Sequence, residues 1–174
     1  MKRFGAILAA LTAFLSFAAT DVRAADPSLS ADANAAYLSA NAHKPGVVIR
    51  PSGLQYSIIK NGFGARPLPT DEVQVSYTGM LINGKIFDGT EAMTPATFTV
   101  NKLIPGWTEA LGLMRVGDKW HLVIPSNLAY GARGAGDGLI PPNQVLVFDM
   151  ELLATNHAKQ PPPGQDPDNP DSQQ

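Results

Sequence analysis

One short helical pattern stands alone in the middle of this chain. Four apolar residues occupy the spacing i, i+3, i+4 and i+7 of a single helix face: Trp107, Ala110, Leu111 and Met114. A lone amphipathic helix must bury that face against another element. The surrounding sequence offers only short strands, so we predict an α+β fold in which one short α-helix packs against an antiparallel sheet.

Five segments around that helix are predicted to be strands, because they are rich in β-branched residues and alternate apolar with polar side chains. They are residues 54–59, 73–81, 96–100, 119–124 and 145–153. The dipeptides Asn61-Gly62 and Asn83-Gly84 are typical of tight turns. The 16 glycines and 15 prolines also favour a turn-rich protein over a helical bundle.

The N-terminus predicts an export signal. Lys2 and Arg3 precede an apolar run over residues 4–19, and Val22-Arg23-Ala24 offers small residues before a cut after Ala24. The alternative is a membrane anchor, but this run is shorter than the ~20 apolar residues that a span requires. We therefore expect residues 1–24 to be a signal peptide and the mature protein to be periplasmic, without membrane contact after cleavage.

Two further segments flank a predicted domain of residues 53–155. In the leader, residues 25–52, Ser30 is a candidate N-cap for a short helix over residues 31–42, which Pro45-Gly46 would end. Residues 156–174 contain five prolines and three aspartates and too few apolar residues to build a core. They are therefore predicted to form a disordered tail.

Charge and composition argue against several classes of function. The net charge is −2 and there is no basic patch, so nucleic acid is not expected as a partner. The chain has no cysteine, which removes disulfides and thiolate chemistry. Its three histidines are far apart in the sequence, which argues against a zinc site or a Ser-His-Asp hydrolase.

Five motifs carry a resemblance to a known family. They are Val75-Ser76-Tyr77-Thr78-Gly79-Met80-Leu81, Phe87-Asp88, Ile104-Pro105-Gly106-Trp107, Ala129-Tyr130-Gly131, and a loop-to-strand run that begins Gly138-Leu139-Ile140-Pro141-Pro142 and ends Phe148-Asp149-Met150-Glu151-Leu152. In their order and spacing, residues 53–153 resemble the FKBP-type peptidyl-prolyl cis/trans isomerases, in particular exported bacterial, Mip-like members. The leader resembles only the final turns of their long dimerisation helix, which implies a monomer.

The resemblance implies an FKBP-like α+β fold, in which a curved antiparallel sheet of about five strands wraps around one short α-helix. It also implies a substrate pocket and assigns its residues. Asp88 and Tyr130 take the catalytic positions, and the substrate-binding positions fall on Tyr77, Phe87, Phe98, Leu103, Ile104, Trp107, Ile140 and Phe148. In the family, the counterpart of Trp107 forms the floor for a proline ring. The Ile104 N–H and the Tyr130 hydroxyl would bind ligand carbonyls. The implied activity is rotation about Xaa-Pro bonds in polypeptides, without a metal or cofactor, and rapamycin-like macrolides are possible inhibitors.

Taken singly, these residues support plainer interpretations. Trp107, Phe98 and Phe148 would be core residues, because large aromatic side chains usually are. Only the assembled set favours a pocket. A non-catalytic proline-binding module or a holdase chaperone would use the same pocket and is the alternative function. The glycine-rich residues 131–138 are predicted to form a flap beside it.

The hairpin around Asn83-Gly84 carries a more detailed prediction. A two-residue turn there would place Asp88 opposite Gly79, with Tyr77 on the same face. The Tyr77 phenol is then predicted to donate a hydrogen bond to Asp88, and Gly79 to leave a hollow for a substrate backbone. The same register sends Phe87 to the opposite face, whereas the family places it in the pocket. A bulge or a wider turn would reconcile the two.

Overall fold

The computed structural model describes residues 26–91 and 93–156, so the predicted signal peptide and nearly all of the predicted tail lie outside the described residues. The described part of the chain forms one antiparallel sheet and two α-helices. The strands are β1 (Val48–Ile49), β2 (Gln55–Lys60), β3 (Glu72–Leu81), β4 (Ile86–Gly89), β5 (Ala96–Thr99), β6 (Lys119–Ile124) and β7 (Leu146–Thr155). The helices are α1 (Ala31–Ala42) and α2 (Pro105–Leu113).

The strands lie in the order β1-β2-β6-β7-β3-β4, and β5 pairs with β3 beside β4. Every pairing is antiparallel. The five predicted strands are confirmed to within two residues at each end, and the predicted α+β architecture is confirmed. Two short strands, β1 and β4, raise the count from five to seven.

Helix α2 packs on the inner face of the sheet. All four residues of its predicted apolar face are buried. Pro105 begins the helix, where the missing N–H costs nothing because that group has no intrahelical partner. A Cβ added at Gly106 would lie 2.5 Å from Cγ2 of Ile124, so glycine allows α2 to lie this close to β6. That close approach sets the depth of Trp107, the next residue.

Helix α1 packs on the outer face of the same sheet, which the sequence did not predict. The helix itself is confirmed: it spans Ala31–Ala42, and the Ser30 side chain accepts a 3.2 Å hydrogen bond from the backbone N–H of Ala33. Tyr37 and Leu38 contact a second apolar cluster of the sheet, formed by Val123, Val145 and Val147. The sheet is therefore covered by a helix on both faces.

Three acidic residues lie outside the predicted pocket and have other partners. Asp118 is buried and structural, since its carboxylate accepts backbone hydrogen bonds from Gly62 at 2.5 Å and Arg115 at 2.7 Å. Asp149 and Glu151 share the outer, partly solvated face of β7. They contact His121 at 2.7 Å and Lys60 at 3.0 Å, respectively. Among the described residues, no helix is both long enough and apolar enough to cross a membrane.

Candidate functional site

An aromatic cavity of about 140 Å³ lies on the inner face of the sheet, beside the N-terminal end of α2. Nine of the ten residues assigned by resemblance line it: Tyr77, Phe87, Asp88, Phe98, Leu103, Ile104, Trp107, Tyr130 and Phe148. The tenth, Ile140, does not line it. Ile140 is buried among the core residues, and it pairs with Ala135 inside the flap. One site is thus formed by residues from five elements, β3, β4, β5, α2 and β7, together with the residues just before α2 and just before the flap.

Trp107 is at the centre of the aromatic cluster. Its indole is only 4% exposed, yet it lines the cavity, as a floor would. Three rings meet it nearly at right angles: Tyr77 at 4.9 Å between centroids, Phe148 at 5.2 Å and Phe98 at 5.8 Å. Edge-to-face contacts are the geometry that aromatic quadrupoles favour, so the rings support one another around an open space.

The β3–β4 hairpin differs from the predicted two-residue turn. The Leu81 N–H donates to the carbonyl of Lys85 and the Leu81 carbonyl accepts from the N–H of Gly84, both at 2.9 Å. These bonds make a three-residue loop in which Gly84 has φ +83°. The pairing then shifts by one residue between Gly79 and Met80. Gly79 still lies opposite Asp88, as predicted. The wider loop and the bulge both occur, and together they bring Phe87 to the cavity.

Gly79 does not leave a hollow for a substrate, and this expectation was wrong. A Cβ at Gly79 would lie 2.7 Å from Cε1 of Phe148 and 2.8 Å from Cζ of Phe87. The space is already filled by those two rings, which contact each other edge-on at 5.6 Å. Glycine is required here so that the aromatic wall can close over β3.

The predicted hydrogen bond between Tyr77 and Asp88 is present at 2.7 Å. Burial is the main cause that raises the pKa of the Tyr77 phenol, and the hydrogen bond to Asp88 adds to it. Burial is also the main cause that raises the pKa of Tyr130, and the negative charge of Asp88 adds to it. Both phenols therefore keep their protons well above neutral pH and remain hydrogen-bond donors.

Thr90 supports Asp88 and was missed in the sequence. Its hydroxyl accepts a 3.0 Å hydrogen bond from the backbone N–H of Tyr77 and lies 3.1 Å from the hydroxyl of Ser76. Its own N–H donates to the carbonyl of Tyr77 at 2.9 Å. These bonds attach the end of β4 to β3 two residues beyond Asp88. In the sequence Thr90 is only a polar residue two positions after Asp88, and its hydrogen-bond partners depend on how β4 pairs with β3.

Two polar groups at the rim are available to a ligand. The backbone N–H of Ile104 has no hydrogen-bond partner among residues 26–91 and 93–156. Tyr130 is partly exposed, and its hydroxyl likewise makes no hydrogen bond within those ranges. Asp88 adds an exposed carboxylate that also lines the cavity. The cavity thus combines an apolar interior with two donors and one acceptor. Within the described residues, no group of three or more His, Asp or Glu side chains is arranged to hold a metal ion.

The flap of the structure comprises residues 131–143. The N–H of Asn143 donates to the carbonyl of Gly131 at 2.8 Å, which closes its base next to Tyr130. Ala135 and Ile140 exchange two hydrogen bonds of 3.0 Å across it. Gly131, Gly134, Gly136 and Gly138 all have positive φ, so its turns depend on glycine. The flap therefore starts where it was predicted, one residue after the cavity-lining Tyr130, and extends five residues beyond the predicted end at Gly138.

Comparison with known proteins decides the family. Residues 64–153 match the family described as FKBP-type peptidyl-prolyl cis-trans isomerase, and residues 6–58 match the domain amino terminal to FKBP-type peptidyl-prolyl isomerase. The chain belongs to the FKBP-type peptidyl-prolyl cis-trans isomerase family. The resemblance carried by the five motifs is confirmed.

Several FKBP-type relatives are closely similar. The chain is 54% identical over 124 residues to the outer membrane protein MIP of Legionella longbeachae, covering 71% of this chain and 53% of the relative. It is 57% identical over 118 residues to the FKBP-type 22 kDa peptidyl-prolyl cis-trans isomerase of Escherichia coli strain K12, covering 67% and 57%. The chain thus spans little more than half the length of these curated relatives.

Solved structures give the same fold. A peptidyl-prolyl cis-trans isomerase from Pseudomonas syringae superposes with a TM-score of 0.67 at 43% identity, covering 71% of this chain and 91% of the other. FkpA from Escherichia coli gives a TM-score of 0.67 at 42% identity, covering 70% and 57%. These matches confirm the predicted FKBP-like architecture.

Proposed function

We propose that this protein catalyses cis/trans isomerisation of Xaa-Pro bonds in polypeptides. The observation that carries the proposal is the cavity above Trp107: a small aromatic space with hydrogen-bonding groups at its rim. Its volume of about 140 Å³ suits one proline ring with the adjoining peptide group. The membership of the FKBP-type family supports the same activity.

The reaction requires rotation and breaks no bond. Amide resonance gives the C–N bond partial double-bond character and a rotation barrier of ~18–20 kcal/mol. In free solution an Xaa-Pro bond therefore isomerises in tens to hundreds of seconds. The planar amide is more charge-separated than the twisted one, so water stabilises the ground state more. An apolar cavity that removes this water and fits the twisted amide favours the transition state. Lowering the barrier by ~5–7 kcal/mol accelerates rotation by roughly four to five powers of ten.

We assign each rim group a role in this rotation. Trp107 supports the proline ring, while Phe87, Phe98 and Phe148 form the walls. The Ile104 N–H and the Tyr130 hydroxyl hold carbonyl groups of the peptide. Asp88, oriented by Tyr77, lies beside the rotating carbonyl. General acid-base catalysis by Asp88 is not required, since rotation consumes no proton. Leu103, half-buried before α2, completes the apolar lining, and Ile140 supports the flap from the core.

Exchange spectroscopy separates this proposal from its alternative. A peptide with one Xaa-Pro bond is mixed with the protein, and cis/trans exchange is measured by NMR. Faster exchange that disappears on addition of rapamycin supports catalysis at this cavity. Broadened peptide signals without faster exchange would instead indicate a non-catalytic proline-binding module or a holdase chaperone.

We also propose that the protein works outside the cytoplasm as a monomer. Residues 1–24 have the pattern of a secretory signal peptide, and one relative is named an outer membrane protein. We further propose residues 53–155 as the isomerase domain, residues 25–52 as its leader and residues 156–174 as a disordered tail. N-terminal sequencing of the exported protein tests the cut after Ala24, and light scattering tests the monomer.

A further inference from the structure

The leader is attached to the domain at the end of the flap. The Asn34 carboxamide oxygen on α1 accepts a 2.7 Å hydrogen bond from the backbone N–H of Val145. Its amide nitrogen lies 3.2 Å from Oε1 of Gln144. The Gln144 amide in turn donates 3.0 Å bonds to the carbonyls of Leu29 and Pro142. We call these five residues the leader clasp.

The clasp is built from buried polar groups. Asn34 is 5% exposed and Gln144 is 6% exposed. Asn34 uses its nitrogen for two further bonds, to the carbonyls of Leu29 at 3.1 Å and Ser30 at 2.9 Å. Buried amides whose donors and acceptors are satisfied in this way specify one arrangement, because any shift leaves a buried group unpaired. The clasp therefore fixes the leader and residues 142–145 relative to each other.

A short path leads from the clasp to the cavity. Pro142 belongs to the flap, and Gln144 directly follows Asn143, whose N–H closes the base of the flap on Gly131. Gly131 is the neighbour of Tyr130, which lines the cavity. No clasp residue lines the cavity itself. An effect of the clasp on a bound peptide can pass through the flap to Tyr130 or through Val145 along β7 to Phe148, and hydrogen exchange in the flap separates these two routes.

We infer that Asn34 and Gln144 are positioning residues for the proposed site: the leader clasp holds the flap, and through it Tyr130, in the orientation that binds the peptide. The inference rests on the proposed function for its kinetic part only. It assigns the leader a role at the site although its helix α1 packs on the opposite face of the sheet.

The chain offers a matched control at the other end of α1. There the Asn41 amide donates a 2.9 Å bond to Oε1 of Gln55, and the Gln55 amide donates a 3.1 Å bond to the carbonyl of Leu38. Asn41 and Gln55 are buried to the same degree as the clasp pair. They attach α1 to β2, far along the chain from the flap. Asn41→Ala thus removes a buried carboxamide from α1 without touching the flap. Asn41 makes fewer bonds than Asn34, since its Oδ1 has no partner among the described residues, so flap behaviour and not the loss of stability is the quantity to compare.

The test compares Asn34→Ala and Gln144→Ala with Asn41→Ala in the full chain. Three quantities are measured: the melting temperature, hydrogen exchange at the amides of Ala135, Ile140 and Asn143, and isomerisation of an Xaa-Pro peptide. We expect all three variants to lose melting temperature. Only the two clasp variants should show faster flap exchange and a kcat/KM reduced about 3- to 10-fold, mainly through a higher KM.

The possible results decide between the alternatives. Equal hydrogen-exchange rates of the flap amides in clasp and control variants overturn the inference. Faster hydrogen exchange in the flap with an unchanged kcat/KM also overturns it. If the wild-type protein binds the peptide without accelerating its cis/trans isomerisation, the proposed function fails. Peptide affinity then replaces kcat/KM as the quantity that tests the inference. Weaker affinity in the clasp variants alone would still support the inference, whereas equal affinity would overturn it.

Discussion

The Tyr77 phenol donates a 2.7 Å hydrogen bond to Oδ2 of Asp88, while the Gly89 N–H donates to Oδ1 at 2.8 Å. Tyr77 is 8% exposed on the central strand β3, and Asp88 is exposed on the short edge strand β4. The buried phenol of Tyr77 thus orients the carboxylate of Asp88 at the rim of the cavity. The orientation of Asp88 depends on a side chain that solvent hardly reaches.

Replacing Tyr77 by Phe should therefore affect stability in a pH-dependent way. At neutral pH, loss of the bond should reduce the free energy of unfolding by ~0.5–1.5 kcal/mol. The pKa of Tyr77 is raised above its usual value near 10 in the folded state, so its contribution is full below that pH. The contribution decreases as pH rises further, because the unfolded chain ionises first. Urea unfolding of both proteins from pH 7 to pH 11 should show the wild-type advantage shrinking above pH 10; a constant difference would contradict this.

Removing the rim groups should slow isomerisation without unfolding the domain. Asp88→Ala and Tyr130→Phe should each lower kcat/KM about tenfold, which corresponds to ~1.4 kcal/mol of lost transition-state stabilisation. Glu91→Ala is the matched control, since Glu91 is an exposed acidic residue near Asp88 that does not line the cavity. Peptide exchange by NMR measures all three. A loss in Glu91→Ala equal to that in Asp88→Ala would show a general charge effect.

The two tryptophans allow a comparison of burial with function. Trp107 and Trp120 are 4% and 3% exposed. Trp120 does not line the cavity; its ring stacks on that of Tyr56 with 4.2 Å between the ring centroids. Phe at either position should destabilise the protein by less than the ~3–5 kcal/mol of a full truncation to Ala. Only Trp107→Phe should raise KM for an Xaa-Pro peptide. Similar KM values for the two variants would remove Trp107 from the proposed site.

Replacing each of two glycines by alanine should change the free energy of unfolding in opposite directions. Gly79→Ala forces a methyl group against Phe87 and Phe148, so we expect a loss of ~1–3 kcal/mol and weaker peptide binding. Gly112 is exposed on α2 with no atom within 4 Å of an added Cβ. Gly112→Ala should stabilise the protein by ~0.5–1 kcal/mol, because alanine is the better helix former. Thermal unfolding measures both, and a stabilised Gly79→Ala would mean that the rings move aside easily.

The parts of the fold that follow from periodicity could be predicted. The helical spacing of Trp107 and Met114 is a local property of the sequence, and so is the alternation in β3 and β7. The pairing of Gly79 with Asp88 was predicted from a two-residue turn, and it holds because the bulge offsets the wider loop. The motif positions then placed nine of ten assigned residues on one cavity.

The remainder depends on contacts between distant residues. Helix α1 docks through Asn34 and Asn41, seven residues apart, and buried polar residues leave no apolar pattern in the sequence. The filling of the space above Gly79 depends on where Phe148 lies, which no local rule supplies. The bulge at Phe87 likewise required the true loop length at Gly84. In each case the partner is on another element.

One of the two indoles lines the cavity and the other does not, so intrinsic fluorescence can report on the cavity. The chain contains only two tryptophans, and Trp120 does not line the cavity. In Trp120→Phe, all indole emission arises beneath the space in which we expect the proline ring to dock. Displacement of water by a bound peptide would then shift or quench a single fluorophore. Titration by fluorescence can therefore follow binding without a label or a coupled protease.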